Sequence, residues 1–163
     1  MAAYDPRAVK GLGVTYATSP MGADHTAGFV LYAPIDHHSP KGQAAASRSS
    51  QVVRAALDAL GLCNFVMSAL LDKAGIIADL VNAVQGTAYG PAFMQTLGEE
   101  VLRMERAFNA GAGFTKADDR LPEFVRSESL RPFGLTFDVP QEELDELFDE
   151  VVQKPGSSGG EHP

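Results

Sequence analysis

The chain has 163 residues, 45% of them apolar, and a formal net charge of −8. That length suits one domain with a sizeable core or two small helical lobes, and the apolar share is ordinary for a globular protein. So acidic a chain repels phosphate backbones, which argues against nucleic acid; its single cysteine, Cys63, leaves no internal disulfide; and no apolar run reaches the ~18–20 residues that cross a bilayer, so no membrane partner is expected.

The opening "MAAYDPRAVKG" lacks a basic region followed by an apolar run, so no secretory signal is read and a reducing, cytoplasmic setting is expected. In "YDPRAVKGLGVTYATS", Asp5 reads as a helix N-cap and Pro6 as the first helical position, predicting a helix over about 6–18. Gly11 and Gly13 lower its propensity and point to close packing against another element. "SPMGADHTAG" is rich in loop formers and carries Asp24 and His25; "FVLYAP" is a short apolar run and "IDHHSPKG" a polar loop. Val52, Val53, Ala56, Leu57 and Leu60 form an apolar stripe on a helix expected over about 43–60, with Gly61 as its stop. "LCNFVMSALL" is nearly all apolar and reads as a buried helix over about 62–71.

"GIIADLVNAVQG" follows. In the next stretch Phe93, Met94, Leu97, Val101, Leu102, Met104 and Phe108 recur at helical spacing as the inward face, with Glu99, Glu100, Arg103, Glu105 and Arg106 on the wet side, over about 91–109. "AGAGFTKADDRLPEFV" reads mostly as loop. "VPQEELDELFDEVVQ" reads as one acidic amphipathic helix with Leu144, Leu147, Phe148 and Val151 inward. Residues 153–163 have the composition of a disordered tail. No repeat and no convincing strand alternation is present, so the expected class is all-α and multihelical.

Taken one at a time, the chemistry-bearing residues stay open to two readings. Cys63 is either a small core hydrophobe or one ligand of a metal cluster whose other ligands lie elsewhere. Asp24 and His25 are either an acid/base couple or a loop pair making local hydrogen bonds. His37 and His38, adjacent on one loop, carry little metal signal. Asp58 lies one turn before a helix end, where a carboxylate opposes the helix dipole; it is either an exposed acid or the partner of a cationic or hydrogen-bond-donating ligand. Asp118 and Asp119 read more simply as turn caps than as paired catalytic carboxylates.

Four colinear stretches together carry a resemblance. "AYDPRAVKGLGVTYATSPMGADHTAG", "DALGLC", "VNAVQG" and "LGEEVLRMERAFNAGAGFTKADDRLPEF" resemble, in order, segments of the C-terminal helical half of the tungsten-containing aldehyde:ferredoxin oxidoreductases. "DALGLC" is similar in full to the family's D-x-x-G-L-[CD] motif, and the resemblance covers about 3–152, read as one helical region. It implies a tungsten or molybdenum bis-pterin with a [4Fe–4S] cluster beside it. Within the motif it implies that Asp58 contacts a pterin amine, that the Leu62 backbone touches the pterin, with Gly61 permitting the tight turn, and that Cys63 is the fourth cluster ligand. It places a proton-donating or substrate-positioning role on His25, although many members carry Cys where this chain has Asp24.

The resemblance further implies oxidation of an aldehyde to a carboxylic acid, ferredoxin as electron acceptor and a homodimeric arrangement. The family's N-terminal pterin-binding domain and its other cluster cysteines have no counterpart in these residues, so a fragment or one piece of a split enzyme is expected, completed by an N-terminal domain or companion subunit and inactive alone. The alternative is a non-catalytic helical scaffold subunit whose acidic last helix docks a basic partner.

Overall fold

The computed structural model describes residues 2–66, 73 and 75–153. The described residues form helices α1 (Lys10–Thr18), α2 (Gln43–Ala59), α3 (Gly75–Gln85), α4 (Phe93–Gly111), α5 (Phe124–Ser127), α6 (Gln141–Asp145) and α7 (Asp149–Gln153). Among them the only strand-like pairing is an isolated bridge between Leu130 and Leu135, so the fold is all-α as expected.

Helix α1 starts later than Pro6. The Asp5 carboxylate is taken up locally, accepting from the Arg7 backbone and side chain, and the Asp5 carbonyl closes a turn onto the Ala8 and Val9 N–H groups. The helix ends where Ser19 turns extended ahead of Pro20, whose ring disfavours helical backbone at the preceding residue. Every residue of α1 is buried, and its glycines mark close contacts: a Cβ on Gly11 would meet Val30 and Gln43, and one on Gly13 would meet the Phe137 ring. Its buried hydroxyls face α2. Thr15 Oγ1 lies 2.7 Å from Ser47 Oγ, and Gln51 Nε2 donates to Thr18 Oγ1 at 3.0 Å and Ser47 Oγ at 3.1 Å.

Helices α2 and α4 form the main pair of the fold. At their crossing, Gly98 sits so close to α2 that a Cβ there would fall onto the Val52 carbonyl oxygen. The core of Val14, Val52, Leu102, Phe137 and Val139 is closed by Leu144, Leu147, Phe148 and Val151, the inward set expected for the last helix. That helix is broken into α6 and α7, and its acids are engaged: Asp145 pairs with Arg120 at 2.7 Å and Asp149 with Lys116 at 2.5 Å.

Arg106 of α4 ties three segments to this core. Its guanidinium donates to the Thr18 carbonyl at 2.6 Å, pairs with Asp119 at 2.6 Å and lies 4.9 Å from the centre of the Phe148 ring. One turn on, Asn109 Nδ2 donates to the Pro20 carbonyl at 2.9 Å. The expected inward face of α4 holds only in part. Gly98 and Leu102 are buried, whereas Met104 and Phe108 are 52% and 77% exposed, because no described element lies over them. In α3, only Ile77 and Ala78 are buried. Residues 154–163 of the expected tail lie outside the described residues, and Gln153 closes α7.

Gly98→Ala should destabilise the chain by about 2 kcal/mol or more, because the α2–α4 crossing has no room for a methyl. Urea denaturation checks it, with Gly111→Ala, where a Cβ meets nothing within 4 Å, as the control expected to show little change. Arg106→Ala should lower stability by about 3 kcal/mol, since it strands the Asp119 carboxylate as well as removing a clamp; the same denaturation curves read it.

Candidate functional site

The segment that follows α2 is set by one turn. The Leu62 N–H bonds the Leu57 carbonyl at 2.9 Å and the Gly61 N–H bonds the Asp58 carbonyl at 3.0 Å, the paired bonds of a Schellman C-cap. That cap needs a left-handed residue, and Gly61 has φ +67. A Cβ there would meet nothing within 4 Å, so the glycine answers a backbone requirement and not a packing one. Arg54 Nη1 reaches forward to the Asn64 carbonyl at 3.3 Å and ties the turn back to α2.

Beyond the turn, the expected buried helix over 62–71 is corrected in its described part, 62–66. Leu62 and Cys63 are non-helical, a short 3-10 turn occupies Asn64–Val66, and residues 67–71 lie outside the described residues. Cys63 is exposed and the Phe65 ring beside it is 87% exposed. A core role for Cys63 is thereby overturned: the sharp cap directs the chain off the end of α2 instead of back into the core.

Asp58 lines a cavity of about 280 Å³ between α2, α4 and the loop after α1. Helix α2 contributes Gln51, Ala55 and Asp58 at spacings that share one face, α4 contributes Leu102 and Glu105, and the loop contributes Pro20. The polar groups here are mainly acceptors. Gln51 is 1% exposed and its Oε1 is buried with no hydrogen-bond partner. The Glu105 side chain reaches solvent, yet partial desolvation at the cavity wall, and then the negative charge of Asp58, push its carboxyl above the usual range. Arg54, the nearby cation, is lowered from its ordinary value by burial, against which the attraction of Asp58 works.

His25 begins a 3-10 turn, His25–Ala27, capped by the Asp24 carboxylate, which accepts from Thr26 N and Thr26 Oγ1 at 2.8 Å each. Asp24 Oδ1 lies 3.6 Å from His25 Nδ1, and the imidazole packs edge-on against Tyr4 at 5.6 Å and Phe29 at 6.2 Å between ring centres. Ala27, at the end of this turn, lines the Asp58 cavity. The structure therefore brings the His25 turn and Asp58 to one region, while His25, Leu62 and Cys63 are not themselves on the cavity wall.

The remaining candidates are structural. His37 is half-buried with its Nε2 3.2 Å from the Leu31 carbonyl, and the exposed His38 has its N–H on Asp36. Asp118 closes a capping box with Thr115. Asn82, in "VNAVQG", holds the loop after α3 through the Tyr89 N–H at 2.7 Å, Thr87 Oγ1 at 2.9 Å and the Tyr89 carbonyl at 2.9 Å. Among the described residues no group of three or more His, Cys, Asp or Glu side chains can hold a metal ion, and no helix is long and apolar enough to cross a membrane. Sequence reasoning missed Gln51 and Glu105. The signal for Gln51 was its position two turns before Asp58, on the same face of α2.

Asp58→Asn should lower the pKa of Glu105 toward the ordinary carboxylate range by removing its charged neighbour. A carboxyl-carbon NMR titration of Glu105 in both chains measures this, and an unmoved midpoint would show that the two acids do not share a field.

Residues 1–154 match the family described as aldehyde ferredoxin oxidoreductase, domains 2 and 3. The chain is 31% identical over 137 residues to the tungsten-containing aldehyde ferredoxin oxidoreductase of Pyrococcus furiosus, covering 78% of this chain and 22% of that protein. It is 30% identical over 137 residues to the enzyme of the same name from Thermococcus kodakarensis, with the same coverage of both. The chain thus spans 22% of the length of the curated relatives it matches, in their C-terminal helical region. With the helical fold and the "DALGLC" turn in place, the chain belongs to the aldehyde ferredoxin oxidoreductase family, as its domains 2 and 3.

Proposed function

We propose that this chain is the cofactor-gripping helical part of a tungsten-dependent oxidoreductase that converts an aldehyde to a carboxylic acid and passes the electrons to ferredoxin. The observation that carries the reading is the Gly61 cap, which sets Asp58 on the wall of an acceptor-rich cavity and carries Cys63 out to the surface.

The residues present fit a pterin. Two carboxylates, Asp58 and Glu105, at one cavity suit the amino edge of an aminopyrimidinone ring. They fit an iron–sulfur cluster as one ligand of four, since an exposed thiol can face a second polypeptide segment that brings the others. When bound, the tungstopterin and cluster supply the redox chemistry: an aldehyde and a water become a carboxylic acid with release of two electrons and two protons.

The chain's own residues supply the setting. Asp58 accepts hydrogen bonds from the pterin amine, a charge-assisted contact that also relieves a carboxylate held against the end of a helix dipole. Leu62 follows the sharp turn at Gly61 and offers its backbone to a part of the cofactor outside the cavity. Cys63 gives a thiolate to the cluster. His25 holds one of the released protons on its imidazole or positions the aldehyde, with Asp24 and the edges of Tyr4 and Phe29 restricting the ring. The exposed apolar side chains beyond Cys63, Leu80 at 61% and Val84 at 85%, suit burial against an N-terminal cofactor domain or companion subunit.

The isolated 163-residue chain should carry substoichiometric iron and tungsten on elemental analysis, because a single thiolate does not hold a cubane. The native assembly containing this sequence should carry both metals and reduce ferredoxin with an aldehyde. In that assembly Cys63→Ser should alter or abolish the reduced-cluster electron paramagnetic resonance signal. An unchanged cluster signal, with only a modest stability shift, would overturn the role of Cys63.

A further inference from the structure

We propose that Tyr16 is a positioning residue for His25: from inside α1 it fixes the segment whose Tyr4 ring packs against the imidazole. This rests on the role given to His25 above and adds to it a residue of the buried core. Tyr16 is 6% exposed, and its ring clusters with Leu12 and Val30. Its hydroxyl oxygen accepts from two consecutive backbone N–H groups, Ala3 at 3.3 Å and Tyr4 at 3.2 Å.

Two bonds to one oxygen fix the direction of the 3–4 segment as well as its place. A phenylalanine at position 16 would fill the same space in the core but would leave both N–H groups without this partner. The phenol hydroxyl thus serves the neighbouring segment and not the helix that carries it. Immediately after Tyr4, Asp5 accepts from the Arg7 backbone and side chain, and its carbonyl closes a turn onto Ala8 and Val9. Tyr4 is therefore held from both sides. Its ring meets His25 at 5.6 Å and Phe29 at 5.7 Å between centres, edge-on in each case.

The other side of the imidazole is set by the same helix. Thr15 Oγ1 lies 3.1 Å from the carbonyl of Gly28, the residue that ends the His25–Ala27 turn. Gly28 sits so close to α1 and α2 that a Cβ there would meet Thr15 and Gln51. Adjacent residues of α1 thus hold the two segments that meet at His25. The Tyr4 and Phe29 rings lie at 71° and 63° to the imidazole, so rotating it about its Cβ–Cγ bond loses both edge contacts. An imidazole that donates a proton or orients an aldehyde works only if its nitrogens keep their direction. The core hydroxyl of Tyr16 supplies that direction through Tyr4, without touching the ring itself.

The first readout is the His25 imidazole Cε1–H resonance in carbon-resolved NMR of the full 163-residue chain. Tyr16→Phe should move it, because the ring current from Tyr4 changes, while circular dichroism stays that of the parent chain. An unmoved resonance overturns the proposal. If Tyr16→Phe does not fold, Ala3→Pro takes its place: it deletes one of the two donors on an exposed residue and should move the same resonance. The second readout is kcat/KM for an aldehyde in the native assembly. Tyr16→Phe should lower it about tenfold. In a His25→Asn background the same change should cost less than about twofold, since Tyr16 acts through His25. An equal loss in both backgrounds overturns the proposal. So does a loss in His25→Asn with none in Tyr16→Phe, which leaves His25 in its assigned role. No loss in His25→Asn removes the reading of His25 itself, and the proposal with it.

Discussion

The arrangement depends on the Arg106 guanidinium. Three surfaces meet on it: the carbonyl that ends α1, the Asp119 carboxylate after the 116–118 turn, and the Phe148 ring between α6 and α7. Asn109 adds the Pro20 carbonyl from the next turn of the same helix. An arginine is needed here because its planar fork offers several donors in fixed directions and an apolar face for an aromatic ring, which a lysine ammonium does not. With this clamp, the loop leaving α1 is held against α4. That loop forms a wall of the Asp58 cavity and leads into the His25 turn.

The strength of the clamp does not come from charge attraction. The Arg106–Asp119 pair is close, yet the Asp119 carboxyl is raised from its ordinary value, because desolvation outweighs the pull of Arg106. A half-buried pair of this kind adds little net stability over an apolar pair of equal shape. Its consequence is geometric: once either partner is ordered, the other has one low-energy position, and the backbone carbonyls of Thr18 and Pro20 are placed with it.

Most of the helical framework was legible because it follows from local rules. The start of α2 at Gln43, the stop at Gly61 and the inward set Leu144, Leu147, Phe148 and Val151 all emerged from periodicity and capping chemistry. What failed did so where a neighbour outside the segment decides. Asp5 caps its own turn through Arg7 and delays α1. Met104 and Phe108 have helical spacing, but spacing gives a face and not the element that covers it. Residues 62–66 read as part of a buried helix because composition cannot see the Schellman cap that turns the chain at Gly61. The site divided in the same way. Asp58 and Cys63 were picked out by a motif, whereas Glu105 meets Asp58 only through the α2–α4 crossing.

Thr18, at the end of α1, joins the Arg106 clamp to α2. Its carbonyl is bound by Arg106, its hydroxyl donates along α1 to Val14, and the same hydroxyl accepts from Gln51. Each bond removes an alternative for the next: the donor is used within the helix, so the hydroxyl must accept, and the Gln51 amide must then present its NH₂ group to it. An apolar residue at any of these positions would pack as well and would leave the amide undetermined. Hydroxyls buried between two well-packed helices stabilise little on balance. Their arrangement instead fixes the orientation of the Gln51 amide, and links it to the clamp that sets the loop.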